Sequence, residues 1–265
     1  MVGYFKKQNI LFIMIGGLLG LAAAFVFAEP QIHILTVFMS VLAGVALGRL
    51  ASTVWANKQL RKYNELLFTK VEPQKFLDEF APIVERTPRN TVEYVDGCNK
   101  LAYAWEALGE FEKARDCLVA LEPENLKRSA MSAMITTANN LARVQLLLGN
   151  AKEAQALTAR LRLLAEDALP QDTALGKSTL NCVRLYENWL LVLSGEKADE
   201  DYLEKEVDRA LNRIRKSELQ LLLASAYDNI GESELADDLR MDAMSDGIGL
   251  WTGTKARELL SKSVD

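Results

Sequence analysis

Two long apolar runs near the N-terminus dominate the hydropathy pattern of the chain. Residues 10–28 and residues 32–48 contain no Asp, Glu, Lys or Arg. A helix of about 20 apolar residues crosses a hydrocarbon core roughly 30 Å thick. The linker over residues 29–31 is too short for a domain, and Pro30 suits a tight turn because its ring fixes φ. The pattern therefore predicts a helical hairpin that crosses a membrane twice.

Small residues recur at every fourth position in both runs, which lets two helix backbones approach closely. Either the two stripes pack against each other inside one hairpin, or one of them faces a second copy of the chain or a membrane-protein partner. The stripes consist of Gly16, Gly20 and Ala24 in the first run and of Ser40, Gly44 and Gly48 in the second.

Beyond the hairpin, apolar residues keep the spacing of helices. Residues 52–70 continue the second helix, since Leu60 and Leu67 fall on one face. A new helix is expected from Pro73, because proline suits the first helical turn. We therefore divide the chain into a two-helix transmembrane anchor over residues 1–52, a helical juxtamembrane linker over residues 53–72 and a helical-repeat domain over residues 73–265.

From residue 90 onward the chain repeats a pattern of two helical segments joined by a glycine turn. A glycine at this place adopts the left-handed conformation that ends a helix. Small residues such as Ala102 and Ala114 let the two helices cross closely. One helix pair cannot bury its own apolar face, so consecutive pairs are expected to stack. The turn glycines are Gly109, Gly149, Gly195 and Gly231.

The pattern resembles the tetratricopeptide repeat (TPR), which recurs every 34 residues. Here the turn glycines are 40, 46 and 36 residues apart, so helices or linkers are longer, and residues 165–175 form the longest predicted linker. The third unit departs most, with Asn188 at a small-residue position. The resemblance implies an α-solenoid, and together with the hairpin it predicts an all-α chain in which a transmembrane helical hairpin is followed by a TPR-like α-solenoid. The first unit matches best, through Leu101, Ala102, Trp105, Gly109, Phe111 and Ala114.

Solenoids of this family bind partners on a concave face lined by the first helix of each unit. The resemblance therefore implies a partner-binding face for a cytoplasmic protein or peptide. A solvated helix face is the alternative for Asn139 and Arg143, and a core position is the alternative for Trp189. The implied face comprises Asn99, Tyr103, Glu106, Asn139, Arg143, Tyr186, Trp189, Ser225 and Asp228.

The positive charges predict the orientation of the hairpin. Lys6 and Lys7 precede the first run, Arg49 and Lys58 follow the second, and the linker carries no Lys or Arg. The positive-inside rule then places both termini in the cytoplasm. A cleaved signal peptide is the alternative for the first run, since residues 26–28 resemble a cleavage site. The whole design is typical of a bacterial inner-membrane or plasma-membrane protein.

The rest of the chain is acidic and lacks the patterns of known reaction centres. Residues 71–265 hold 24 Lys and Arg against 34 Asp and Glu, which argues against binding to nucleic acid. The three cysteines form no CxxC motif, and with His33 as the single histidine there is no Cys/His zinc set. Neither a phosphate-binding glycine loop nor a Gly-x-Ser-x-Gly elbow occurs.

These observations favour a protein that binds rather than catalyses. We predict no enzymatic activity, no cofactor and no metal. The expected function is that of a membrane-anchored scaffold, which recruits a cytoplasmic protein or peptide to the lipid bilayer. The alternative is a non-catalytic accessory subunit of a larger membrane protein complex, held there by one of the small-residue stripes.

Overall fold

The described part of the chain is helical and contains no strand, which confirms the all-α class. The computed structural model describes residues 5–27, 34–121, 131–168 and 173–263. The predicted turn at Pro30, the single histidine His33 and the centre of the 165–175 linker lie outside these ranges.

The first two helices run antiparallel and form the hairpin. Helix α1 spans Lys6–Phe27 and helix α2 spans Ile34–Asn64. The Ser52 hydroxyl near the end of the apolar part of α2 donates a hydrogen bond to the side-chain oxygen of Asn9. Both helices are long and apolar enough to cross a membrane. Only 22% of the apolar window in α1 and 17% of that in α2 is buried, unlike a core helix of a water-soluble domain.

Small residues bring α1 and α2 into backbone contact. A Cβ atom added to Gly16 would collide with the carbonyl oxygen of Gly44, and one added to Gly20 would collide with that of Ser40. Ala24, one turn further along α1, is buried. Such approach is possible only where side chains are small. The stripes are thus in contact within the hairpin, and their use by a second molecule stays a prediction.

Helix α2 continues well beyond its apolar part. It is α-helical to Asn64 and then makes a π-helical turn over Glu65–Thr69. Val71 follows with a φ of 56°, a left-handed conformation that β-branched residues resist. The predicted continuation of the second helix and the predicted helix start at Pro73 are both confirmed.

The remaining helices form a stack in which neighbours lie side by side. They are α3 (Pro73–Glu85), α4 (Val92–Ala107), α5 (Phe111–Val119), α6 (Met131–Leu147), α7 (Ala151–Leu163), α8 (Ala174–Leu193), α9 (Glu200–Asp208), α10 (Arg213–Ile230), α11 (Ser233–Asp246) and α12 (Trp251–Ser263). Helices α4, α6, α8, α10 and α12 contact one another in that order. We call α3–α12 the helical stack.

The glycine turns have the conformation that the repeat pattern predicts. All four turn glycines are left-handed, with φ between 73° and 85°, so the predicted helix caps are confirmed. At Asn188 in the third unit, the side-chain oxygen accepts a hydrogen bond from the Asp199 backbone N–H at 2.7 Å. Alanines at the predicted helix crossings are at most 1% exposed, and they are Ala102, Ala114, Ala142, Ala154, Ala224 and Ala236.

The first and last parts of the helical stack meet. The Tyr103 hydroxyl on α4 donates to the side-chain oxygen of Asn212 at 3.2 Å, and Asn212 is the N-cap of α10. The ring of Phe111 on α5 meets that of Trp251 on α12 edge-on, with centroids 5.1 Å apart. These contacts bring α4 against the beginning of α10 and α5 against the beginning of α12.

The largest apolar core crosses the predicted boundary at residue 72. Leu66 and Leu67, at the end of the long second helix, share one buried cluster with Phe76 and Phe80 on α3. Leu67, Phe76 and Phe80 are completely buried. Division into separate folding units at residue 72 stays a prediction, while the apolar contacts run across it.

Candidate functional site

The positions that the resemblance assigns to a concave face lie in the interior of the helical stack. They occur on α4, α6, α8 and α10, and most are enclosed by neighbouring helices. Three positions are partly buried, namely Tyr103, Asn139 and Ser225, and Asp228 is exposed. The buried ones are Asn99, Glu106, Arg143, Tyr186 and Trp189.

A buried ion pair joins the first two helix pairs. Arg143 on α6 contacts the carboxylate of Glu106 on α4, and their side chains are 7% and 3% exposed. The guanidinium carbon of Arg143 lies 4.8 Å from the ring centre of Tyr103, a cation–π contact. Arg215 and Glu218 on α10 form a second ion pair, and Glu218 acts electrostatically on Arg143. Two positive and two negative groups therefore balance inside the stack.

Glu106 is a buried carboxyl whose pKa is shifted strongly by its surroundings. Burial raises the pKa of Glu106 to about 7, and attraction to Arg143 offsets part of that rise. The interior of the stack therefore contains a carboxyl that changes charge near neutral pH.

Further hydrogen bonds connect polar residues in the same interior. The Asn99 amide donates to the Thr137 hydroxyl at 3.0 Å, and the Asn140 amide donates to the Asn99 oxygen at 2.8 Å. On α8, the Tyr186 hydroxyl donates to the backbone oxygen of Asn139 at 3.1 Å. Because buried polar groups need partners, this network fixes how α4, α6 and α8 sit on one another.

Contacts between helices that are distant in the chain explain why most of these residues are enclosed. In an open solenoid the first helices would face a groove, but here α4 reaches α10 through Tyr103 and Asn212. Nothing in the repeat spacing signals that closure. Contact of these residues with a partner stays a prediction, and in this structure their polar groups contact other residues of the helical stack. Chemically, the arrangement orients neighbouring helix pairs and supplies a titratable interior.

An acidic groove opens between α9, α10 and α11. Its volume is about 470 Å³, and its lining combines four carboxylates and several leucines with one lysine, Lys216. The carboxylates belong to Glu204, Asp208, Asp238 and Asp242. Sequence reasoning found the acidity of the domain but missed this groove, because its carboxylates come from two helices separated by α10. In the described ranges, no group of three or more His, Cys, Asp or Glu is arranged to hold a metal ion.

No family model, curated protein or solved structure matches the chain. The resemblance to the tetratricopeptide repeat therefore stays a prediction that depends on the residues quoted for it.

Proposed function

We propose that the chain is a membrane-anchored scaffold whose helical stack recruits a cytoplasmic protein or peptide to the bilayer. The uncovered apolar surface of the hairpin is the main support. Leu19, Val26 and Leu47 are 65%, 75% and 66% exposed. Full burial of such a side chain is worth about 1.5–3 kcal/mol, and a long exposed apolar surface marks a membrane or protein contact. A bilayer would cover both helices on all sides at once.

Charge supports one orientation of the hairpin. Because α1 and α2 are antiparallel, Lys6 and Lys7 lie at the same end as Lys58 and Arg61. The opposite end carries no Lys or Arg, including residues 28–33 of the sequence. The positive-inside rule favours the basic end in the cytoplasm. Both termini and the helical stack then share that compartment.

We interpret the helical stack as a strongly curved TPR-like α-solenoid. The left-handed glycine caps support this interpretation, as do the buried alanines at the crossings and the successive contacts of α4, α6, α8, α10 and α12. Stacking of each unit on its neighbour is how such arrays bury their apolar faces. With the concave side enclosed, the acidic groove becomes the surface proposed for the partner.

The acidic groove favours a partner segment that carries basic and apolar side chains. Opposite charge speeds encounter and excludes unsuitable partners. Tethering raises the local concentration of the partner at the membrane, and the acidity of the stack keeps it away from anionic lipid. Added salt should weaken the interaction, since exposed charges are screened beyond about 8–10 Å at 0.10–0.15 M salt.

Photo-crosslinking in living cells tests recruitment. A photoreactive amino acid replaces Leu235, which lines the acidic groove and is 45% exposed, or Leu47 on the hairpin. The proposal expects the Leu235 position to capture a cytoplasmic protein. The membrane-bound fraction of that protein falls when the scaffold is deleted and returns with the full chain. Unchanged partner distribution after deletion would contradict recruitment.

Matched charge variants test the groove itself. Asp238→Asn with Asp242→Asn removes two carboxylates from the groove and should lower capture strongly. Glu112→Gln with Glu153→Gln removes two exposed carboxylates from α5 and α7 and should leave capture unchanged. Equal loss in both double variants would mean that only overall charge matters, and the groove would be rejected as the partner surface.

An accessory subunit of a larger membrane complex is the second candidate, and an apolar groove along the hairpin favours it. That groove has a volume of about 460 Å³ and is lined by residues including Leu19, Ala43, Leu47 and Ala51. A membrane helix of another protein, or of a second copy, would fit against it. This candidate expects capture of an integral membrane protein from Leu47 but none from Leu235. Ala43→Leu with Ala51→Leu should abolish that capture and leave the glycine contacts intact.

A further inference from the structure

A cavity lies where the start of α1 meets the extended part of α2 and the end of α3. Its volume is about 580 Å³. Lys6 and Lys7 from α1 line it together with Arg86, the residue after α3, and no carboxylate belongs to its lining. We call it the basic pocket. The sequence carries no signal for it, because the lysines and the arginine come from distant parts of the chain.

The three cations are available to a ligand. All are exposed, and within the described ranges none of them forms an ion pair, although nearby Lys62 pairs with Glu79 at 2.7 Å. The N-terminal end of α1 adds positive potential through the helix dipole. Its first turn contains no acidic residue that would offset this potential. Charged donors of this kind make their strongest hydrogen bonds to anionic oxygens such as those of phosphate.

Aromatic and apolar side chains form the other side of the basic pocket. Trp55 and Tyr63 line it, and the Trp55 ring meets the Phe5 ring edge-on at 5.1 Å. Toward the apolar part of the hairpin, Val54 and Leu11 are 61% and 56% exposed. Trp and Tyr are enriched at the depth where lipid headgroups meet hydrocarbon. A ligand with phosphate and hydrocarbon parts would satisfy both sides.

We propose that the basic pocket binds the phosphate of an anionic glycerophospholipid, whose acyl chains follow the exposed flank of the hairpin. This inference rests on the proposed function only for the membrane position of the hairpin, and no cytoplasmic partner takes part. The walls of the pocket come from α1 and α2 on one side and from the end of α3 on the other. The bound lipid would therefore contact both the anchor and the helical stack.

Lipid binding to the purified full chain tests the basic pocket. The chain in detergent micelles is titrated with dioleoyl-phosphatidylglycerol or dioleoyl-phosphatidylcholine, and the retained lipid is counted by native mass spectrometry. One phosphatidylglycerol per chain should bind in preference to phosphatidylcholine. Lys7→Gln with Arg86→Gln should weaken that binding about tenfold or more, because two of the three cations that attract the phosphate are removed. Equal retention of the two lipids would overturn the proposal.

A matched pair of charge variants separates the pocket from general surface charge. Lys58→Gln with Arg61→Gln removes two exposed cations from the same stretch of α2, and neither residue lines the basic pocket. This control should retain the bound phosphatidylglycerol. The same loss in both double variants would overturn the proposal, because binding would then need only positive charge near the membrane.

Inorganic phosphate distinguishes a lipid from a free anion. The proposal expects bound phosphatidylglycerol to survive an equal concentration of inorganic phosphate. Displacement by phosphate would overturn the lipid assignment and leave phosphate itself as the ligand. Alkaline carbonate extraction of cell membranes tests the membrane anchor of the proposed function separately from lipid binding. If the chain stays in the membrane but shows no preference for phosphatidylglycerol, only the basic pocket is rejected. If the chain leaves the membrane, both the anchor and the basic pocket are rejected.

Discussion

Two turn glycines with the same backbone conformation have different surroundings. Gly109 has a φ of 80°, and a Cβ atom added there would lie 2.8 Å from the Cβ of Trp251. Gly149 has a φ of 73° with no atom within 4 Å of an added Cβ. Alanine at either position disfavours the left-handed conformation. Only at Gly109 must α12 also shift, to make room for the added methyl group.

We expect Gly149→Ala to lower the free energy of unfolding by about 1–2 kcal/mol, the usual cost of the left-handed conformation. Gly109→Ala should lower it by about 1–3 kcal/mol more, because the added methyl group overpacks the contact with Trp251. Chemical denaturation of the full chain in micelles measures both changes. Equal losses would show that Trp251 does not pack against the first turn.

Glu106 gives the stability of the helical stack a dependence on pH. Its pKa in the folded chain is about 7, raised by burial above the ordinary value of 4.5. Between these two values the folded chain holds a proton that the unfolded chain has released. The contribution of Glu106 is therefore fully present below pH 4.5 and is lost as the pH rises through 7.

The free energy of unfolding should accordingly fall between pH 5 and pH 8, and Glu106→Gln should remove most of that slope. Denaturation at several pH values compares the natural chain with the variant. The comparison cancels titration of other groups that both chains share. A slope that persists in the variant would mean that Glu106 does not titrate in this interval.

The hairpin shows how an element depends on a few small residues. Gly16 and Gly17 are neighbours in α1, yet only Gly16 lies against the backbone of α2, at Gly44. An added Cβ on Gly17 meets just the side chain of Val45, at an ordinary 3.4 Å. Ordinary helix pairs lie 8–10 Å apart, and glycine contacts permit closer approach.

Gly16→Leu should therefore widen the separation of α1 and α2 by about 2 Å or more, toward the ordinary spacing. Gly17→Leu should leave that separation nearly unchanged. Pulsed electron paramagnetic resonance between spin labels at Val26 and Phe38, in a chain without native cysteines, measures the distance. The same widening in both variants would contradict the contact between the two stripes.

At the scale of the whole molecule, local features were predictable and the curvature was not. The helix start at Pro73 and the turn at Gly149 each follow from residues a few positions apart. Curvature depends on distant contacts such as Tyr103 with Asn212, which no repeat pattern encodes. Glu106, which the resemblance assigns to a partner face, consequently lies in the interior. The acidic groove and the basic pocket were missed for the same reason, since each combines side chains from separate helices.

We propose above all that the hairpin crosses a membrane and leaves the helical stack in the cytoplasm. Protease digestion of a C-terminal tag in sealed inverted and sealed right-side-out membrane vesicles tests it most directly, and a separate membrane sample is washed with alkaline carbonate. We expect the full chain to remain in the washed membranes and the tag to be cut only in the inverted vesicles. A chain released into the supernatant, or a tag cut in right-side-out vesicles, would contradict the account.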